Sequence, residues 1–162
     1  MPDTAIAMLA VLLGVIAGLR TMTPPAAIAW GAWLGRLRLD GTALAFLNSP
    51  TTAWLFAAMA LGELVVDKLP VTPSRTRPGP FVARILSGAF SGAALTAGVG
   101  GALFPGVLLG ALGAVAGTLG GHALRTRLVP ALQVPDYVVA LAEDVVAVGG
   151  AALIVGQIAV GW

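Results

Sequence analysis

The residues with chemistry to offer are few, and the first two stand in the stretch GELVVDKLP, residues 62 to 70. Glu63 and Asp67 are four residues apart, so a helix would carry both carboxylates on one face. The run they close is otherwise apolar. Counting back from Leu69 sets Glu63 about 9 Å inside it. A carboxylate at that depth has to be protonated, paired or open to water, because burying its unpaired charge is costly. Two carboxylates one turn apart also repel, which favours a shared cation or one bound proton. Asp67 and Lys68 lie nearer the boundary, where side chains reach headgroups and water, and with Pro70 they read as an anchor and stop.

Glu143 and Asp144 repeat the situation near the start of the last apolar run, about 9 Å in from Tyr137. His122 and Arg125, three residues apart, stand near the end of the run before it. Two chemistries fit this set. In one, Glu63, Asp67, Glu143 and Asp144, with His122, bind a cation or relay protons, and Arg20 or Arg125 counters an anionic substrate. In the other, Arg125 or His122 neutralises a carboxylate in a structural ion-pair network. Ionisable groups inside a membrane are functional by default, yet they also have to pair somewhere, so both stay open.

Other chemistries find little footing. The chain has no cysteine, which excludes disulfides, thiolate catalysis and cysteine metal sites. A single histidine without a spacing such as HExxH gives no dedicated metal site. No serine is placed with that histidine as a recognisable nucleophile pair. No cofactor, metal or enzymatic activity is expected.

The elements that position these residues follow from composition. Of 162 residues, 58% are apolar and 10% charged, against roughly 25% charged in an ordinary soluble domain. One soluble core of this length could not hide so much apolar surface. The chain is therefore expected to be all-α, a single membrane-embedded helical bundle over residues 1–162. The net charge of +2, without a basic run interleaved with aromatics, points away from nucleic acid. Residues 5–19 have the length of a signal-peptide core, and Ala27-Ile28-Ala29 offers a small-residue cleavage pattern. A basic start is missing and Asp3 is the first charge, so this stretch is expected to be the first span.

Four further segments have the length and apolarity of spans: 51–69, 82–103, 105–124 and 137–161, punctuated by Pro50, Pro70, Pro105 and Pro135. The stretch 24–50 does not read as one simple span. It opens on Pro24-Pro25 and contains Arg36, Arg38 and Asp40, and each such charge at a helix centre costs about 2.5–3.5 kcal/mol. With Trp30 and Trp33 it is expected to re-enter or lie at the interface. Five full spans put Lys68, Arg75, Arg77, Arg84, Arg125 and Arg127 on one side, opposite Arg20, Arg36 and Arg38. That excess favours a cytoplasmic 70–83 loop, in a bacterial inner membrane. The basic loop VTPSRTRPGP could also grip anionic headgroups, although its plainer role is to set topology. A six-span version moves the N-terminus outside and keeps both basic loops inside.

Residues 19–26, LRTMTPPA, share five of eight positions with residues 124–131, LRTRLVPA. Each is followed by a span with a glutamate, and in the five-span arrangement the two copies run oppositely, as inverted repeats of transporters do. Glycines at small-residue spacing, Gly14/Gly18, Gly88/Gly92 and the series Gly106 to Gly121, allow helices to approach closely within a chain or between protomers. A chain this short often needs a second copy to build a pathway, so a homodimer is favoured.

Gly18-Leu19-Arg20, the set Glu63/Asp67/Lys68/Pro70, His122 and Glu143-Asp144 together resemble the motifs of a group of small multi-span bacterial membrane proteins known as a domain of unknown function. The likeness covers most of the chain and implies membership without an activity. The expectation is a small transporter or channel for an ion or small solute, using intramembrane carboxylates. The alternative is a non-catalytic membrane scaffold or assembly protein with internally paired charges.

Overall fold

A computed structural model describes residues 2–67 and 76–160. The described residues form six helices: α1 (Asp3–Leu19), α2 (Thr23–Trp33), α3 (Pro50–Val66), α4 (Pro78–Gly98), α5 (Leu103–Leu132) and α6 (Asp136–Val160). A 3-10 turn at Ala45–Asn48 precedes α3. The all-helical expectation is met. Three helices, α4, α5 and α6, are long and apolar enough to cross a membrane, and α1 and α3 are shorter apolar helices of 17 residues. The anchor expected of Lys68 and Pro70, and the first half of the loop 71–80, lie outside the described residues.

Local sequence explains the boundaries. Ser49 caps α3 by accepting from the Thr51 amide at 3.2 Å, and Pro50 follows at the first helical position, where its missing N–H costs nothing. Two helices end on left-handed glycines. Beyond α2, Gly35 (φ 72°) donates to Ala32 and Arg36 to Gly31. Beyond α4, Gly100 (φ 78°) donates to Ala97 and Gly101 to Thr96. Each pair of bonds closes carbonyls that the helix leaves open, in a backbone shape that residues with a Cβ avoid.

The stretch 24–50 holds most of one short helix, α2, followed by a longer connection with a single 3-10 turn. At 11 residues, α2 is about 16 Å long, and the chain then turns through 34–49. Successive helices run in opposite directions. The first end of the bundle gathers the α1–α2 turn, the C-terminal end of α3 and the starts of α4 and α6. At the second end, the Arg38 amide bonds the Gly98 carbonyl at 2.9 Å, and Trp30 meets Trp54 and Trp33 at ring-centre distances of 5.1 and 5.0 Å.

That alternation corrects two expectations. Arg20 shares an end with Asp67 and Asp144, not with Arg36 and Arg38. The five-span arithmetic failed because α2 does run back along the bundle, its Arg36 and Arg38 lying beyond the helix rather than inside it. The two LRT stretches also differ in structure. Residues 19–26 turn from α1 into α2, whereas 124–131 lie wholly inside α5, and both arrive at the same end.

Helices α1, α4 and α5 form the tightest part of the bundle. A Cβ on Gly110 would overlap the Gly88 carbonyl, and one on Gly117 the Val15 carbonyl. The glycine series on α5 thus serves two neighbours, Gly106 and Gly110 facing α4, and Gly113 and Gly117 facing α1. The contacts are within the chain. Leu13, Ile28, Leu39, Leu47, Leu95 and Ile158 complete the buried core.

Candidate functional site: a charged helix junction

The turn Arg20–Met22 leaves backbone groups of both signs without helical partners, carbonyls from the end of α1 and amides from the start of α2. Side chains from the other helices take them up. The Glu63 carboxylate, on α3, accepts from the Thr21 amide at 2.6 Å and the Met22 amide at 2.7 Å. It stands where the α2 dipole is positive. Arg84, on α4, donates through Nη1 to the Gly18 carbonyl at 3.0 Å and the Leu19 carbonyl at 2.8 Å, where the α1 dipole is negative. Ser87, one turn on, donates to the Thr21 carbonyl, and Thr118 of α5 approaches the Gly18 carbonyl at 3.4 Å.

Arg20 sits at the centre with 0% of its surface exposed. Its Nε donates to Asp144 Oδ1 at 2.6 Å and its Nη1 to Asp67 Oδ2 at 2.6 Å. Arg84 Nη2 lies 3.9 Å from the same Asp67 oxygen. One fully buried guanidinium therefore ties the ends of α3 and α6 to the α1–α2 turn. Arg20 Nη2, also buried, has no hydrogen-bond partner.

A second group lies toward the edge. Arg125 of α5 bonds Asp136 through Nε at 2.8 Å and again through Nη2, and its Nη1 stands 3.4 Å from Glu143 Oε2. Glu143 and Asp144 are neighbours in sequence, yet about 100° of helical rotation sends them to different arginines. His122 is exposed and is outside both groups.

The structure therefore joins Arg20 with Asp67 and Asp144, joins Arg125 with Glu143, and sets the Glu63 carboxylate on the Thr21 and Met22 amides. Among the described residues, no cluster of His, Asp and Glu is arranged to hold a metal ion. Sequence reasoning treated Arg84 as a topology charge and passed over Ser87 and Asp136. A signal for the first two was present. Arg84, Ser87, Gly88, Ser91 and Gly92 repeat at helical spacing, and a polar, small-residue stripe on an otherwise apolar helix marks the face turned inward. No family model, curated protein or solved structure matches the chain.

Proposed function

We propose that this is a non-catalytic integral membrane protein of the scaffold or assembly kind, whose intramembrane charges hold a broken helix pair together. The observation that carries this is Arg20, wholly buried and bound to two carboxylates at 2.6 Å each. Glu63, the deepest carboxylate of its helix, is likewise occupied by two amides. Groups spent on pairing and capping are not free to carry a cation. The resemblance to small multi-span bacterial membrane proteins fits the same picture.

Orientation follows from charge in this proposal. Alternating helices put Arg20, Arg77, Arg84, Arg125 and Arg127 at the junction end, with Lys68 and Arg75 in the sequence linking α3 to α4. Arg36 and Arg38 are at the other. Seven against two favours a cytoplasmic junction in a bacterial inner membrane, and an N-terminus outside. A homodimer remains part of the proposal, although the glycine faces of α5 are already used within the chain.

A second reading, transport of an ion or small solute, is favoured by Arg20 Nη2, a buried donor without a partner that an anionic group could occupy. Flux measurements on proteoliposomes separate the two. The scaffold reading expects proton, cation and anion fluxes equal to those of protein-free vesicles, and expects Asp67→Asn and Asp144→Asn to lower stability. Flux above that background, abolished by Glu63→Gln or Asp144→Asn in protein that stays folded, would overturn it.

A further inference from the structure

Away from the junction, α3 and α6 both flank α2, and a groove of about 450 Å³ runs between them. Its walls are Ala and Gly from α2, Ala57 to Leu64 from α3, and Val148 to Val155 from α6. Two polar residues line it, one near each end: Thr23 at the start of α2 and Arg36 beyond its finish.

The Arg36 end has the chemistry of a membrane interface. The Arg36 side chain is exposed, and its Nη1 lies 3.8 Å from where a Cβ on Gly156 would stand, so the guanidinium sits over α6 at the groove's mouth. Beside it, Trp30 lines the groove and stacks edge-on with Trp33 and Trp54. Indole rings and a cation at one level are how membrane proteins meet headgroups. Below that level the lining is apolar as far as Thr23.

Length decides between occupants. The helix that the groove follows, α2, is about 16 Å long, close to half of a hydrocarbon core of about 30 Å. A partner helix crossing the membrane would need twice that. One acyl chain descending from one leaflet fits it, with a negative headgroup at Arg36.

We propose that this groove is a binding site for an anionic phospholipid, its phosphate on Arg36 and one acyl chain between α3 and α6. The proposal is independent of what the junction does. Native mass spectrometry of the detergent-solubilised chain, titrated with phosphatidylglycerol or phosphatidylcholine, tests it. The expected result is one bound phosphatidylglycerol per chain, with a preference of about fivefold over phosphatidylcholine from the single interfacial charge. Arg36→Gln, at an exposed position outside the helices, removes that preference. Ala60→Trp fills the groove and weakens both lipids, and its unchanged melting temperature shows that the fold is kept. Equal binding of the two lipids, or a preference that survives Arg36→Gln, would overturn the site. So would a stable dimer that Ala60→Trp splits, because a second copy would then own the groove.

Discussion

Replacing Arg20 by Met removes a cation that Asp67 and Asp144 share and keeps most of the side-chain volume. Both carboxylates are largely buried, with 17% and 11% of their side-chain surface exposed. Arg84, at 3.9 Å from Asp67, is too far to replace the lost bond without moving. Breaking a buried ion pair by deleting one partner costs about 3–5 kcal/mol, since the other charge stays buried. For a chain of this size, each kcal/mol moves the melting temperature by about 2–4 °C. Arg20→Met is therefore expected to melt about 6–20 °C below the unaltered chain.

A second variant shows where that cost comes from. Exchanging all three groups, as Arg20→Met with Asp67→Leu and Asp144→Leu, removes both carboxylates with their guanidinium and leaves Arg84 on the Gly18 and Leu19 carbonyls, and exchanges of a whole buried ion set are often neutral or stabilising. The triple variant should regain most of the loss. Tryptophan fluorescence melts in detergent, with size-exclusion profiles to exclude aggregates, read both quantities. If Arg20→Met melted with the unaltered chain, or if the triple variant fell below the single one, Arg20 would not be holding the junction through charge.

Three further outcomes follow from the same geometry. Glu63→Gln leaves one oxygen for two amides and sets an NH2 against an N–H, so it should cost about 1.5–3 kcal/mol in the same melts. Gly110→Ala should cost about 1–3 kcal/mol by pushing a Cβ into the Gly88 carbonyl, whereas Gly62→Ala, with open space around it, should be neutral or slightly stabilising. Single cysteines introduced at positions 38 and 76 of this cysteine-free chain should label from opposite sides of the membrane. Labelling from one side would refute the alternating six-helix arrangement.

The helices themselves were largely legible, because apolar runs and proline or glycine punctuation are local signals. Residues 3–19, 50–66, 78–98 and 136–160 fall where the apolar runs lie, whereas α5 carries the run 105–124 on to Leu132, through Arg125 and Arg127 where a loop was expected. The stretch 24–50 was not, since its apolar part, 23–33, is too short to register as a span and its charges were counted against it. Yet those charges follow the Gly35 cap, outside the helix. The error in α2 then moved Arg20 to the wrong end. Site membership was legible as residue types and not as pairs. Which arginine meets which carboxylate depends on how α1, α3, α5 and α6 are rotated about their axes, and that is set by tertiary packing. The same limit hid the duty of Glu63, because backbone amides leave no mark in a sequence.

Why these charges are present at all follows from what a turn requires where water is scarce. The α1–α2 turn is partly buried inside the protein, Arg20 wholly so, and a break between two helices there needs donors and acceptors from elsewhere in the chain. The α1–α2 turn receives a carboxylate from α3, a guanidinium and a hydroxyl from α4 and a hydroxyl from α5, while Asp144 of α6 balances Arg20. Every remaining helix contributes to one three-residue turn. A set built for transport would keep at least one ionisable group loosely held. By that measure Glu63, Asp67 and Asp144 are the poorest carriers, each bound at 2.6 Å. Glu143 faces a different arginine, Arg125, at 3.4 Å, and that arginine also serves Asp136. Neutralising Asp144, which Arg20 holds at 2.6 Å, should cost stability under the scaffold reading and flux under the transport reading, so Asp144→Asn is the variant on which the two differ most.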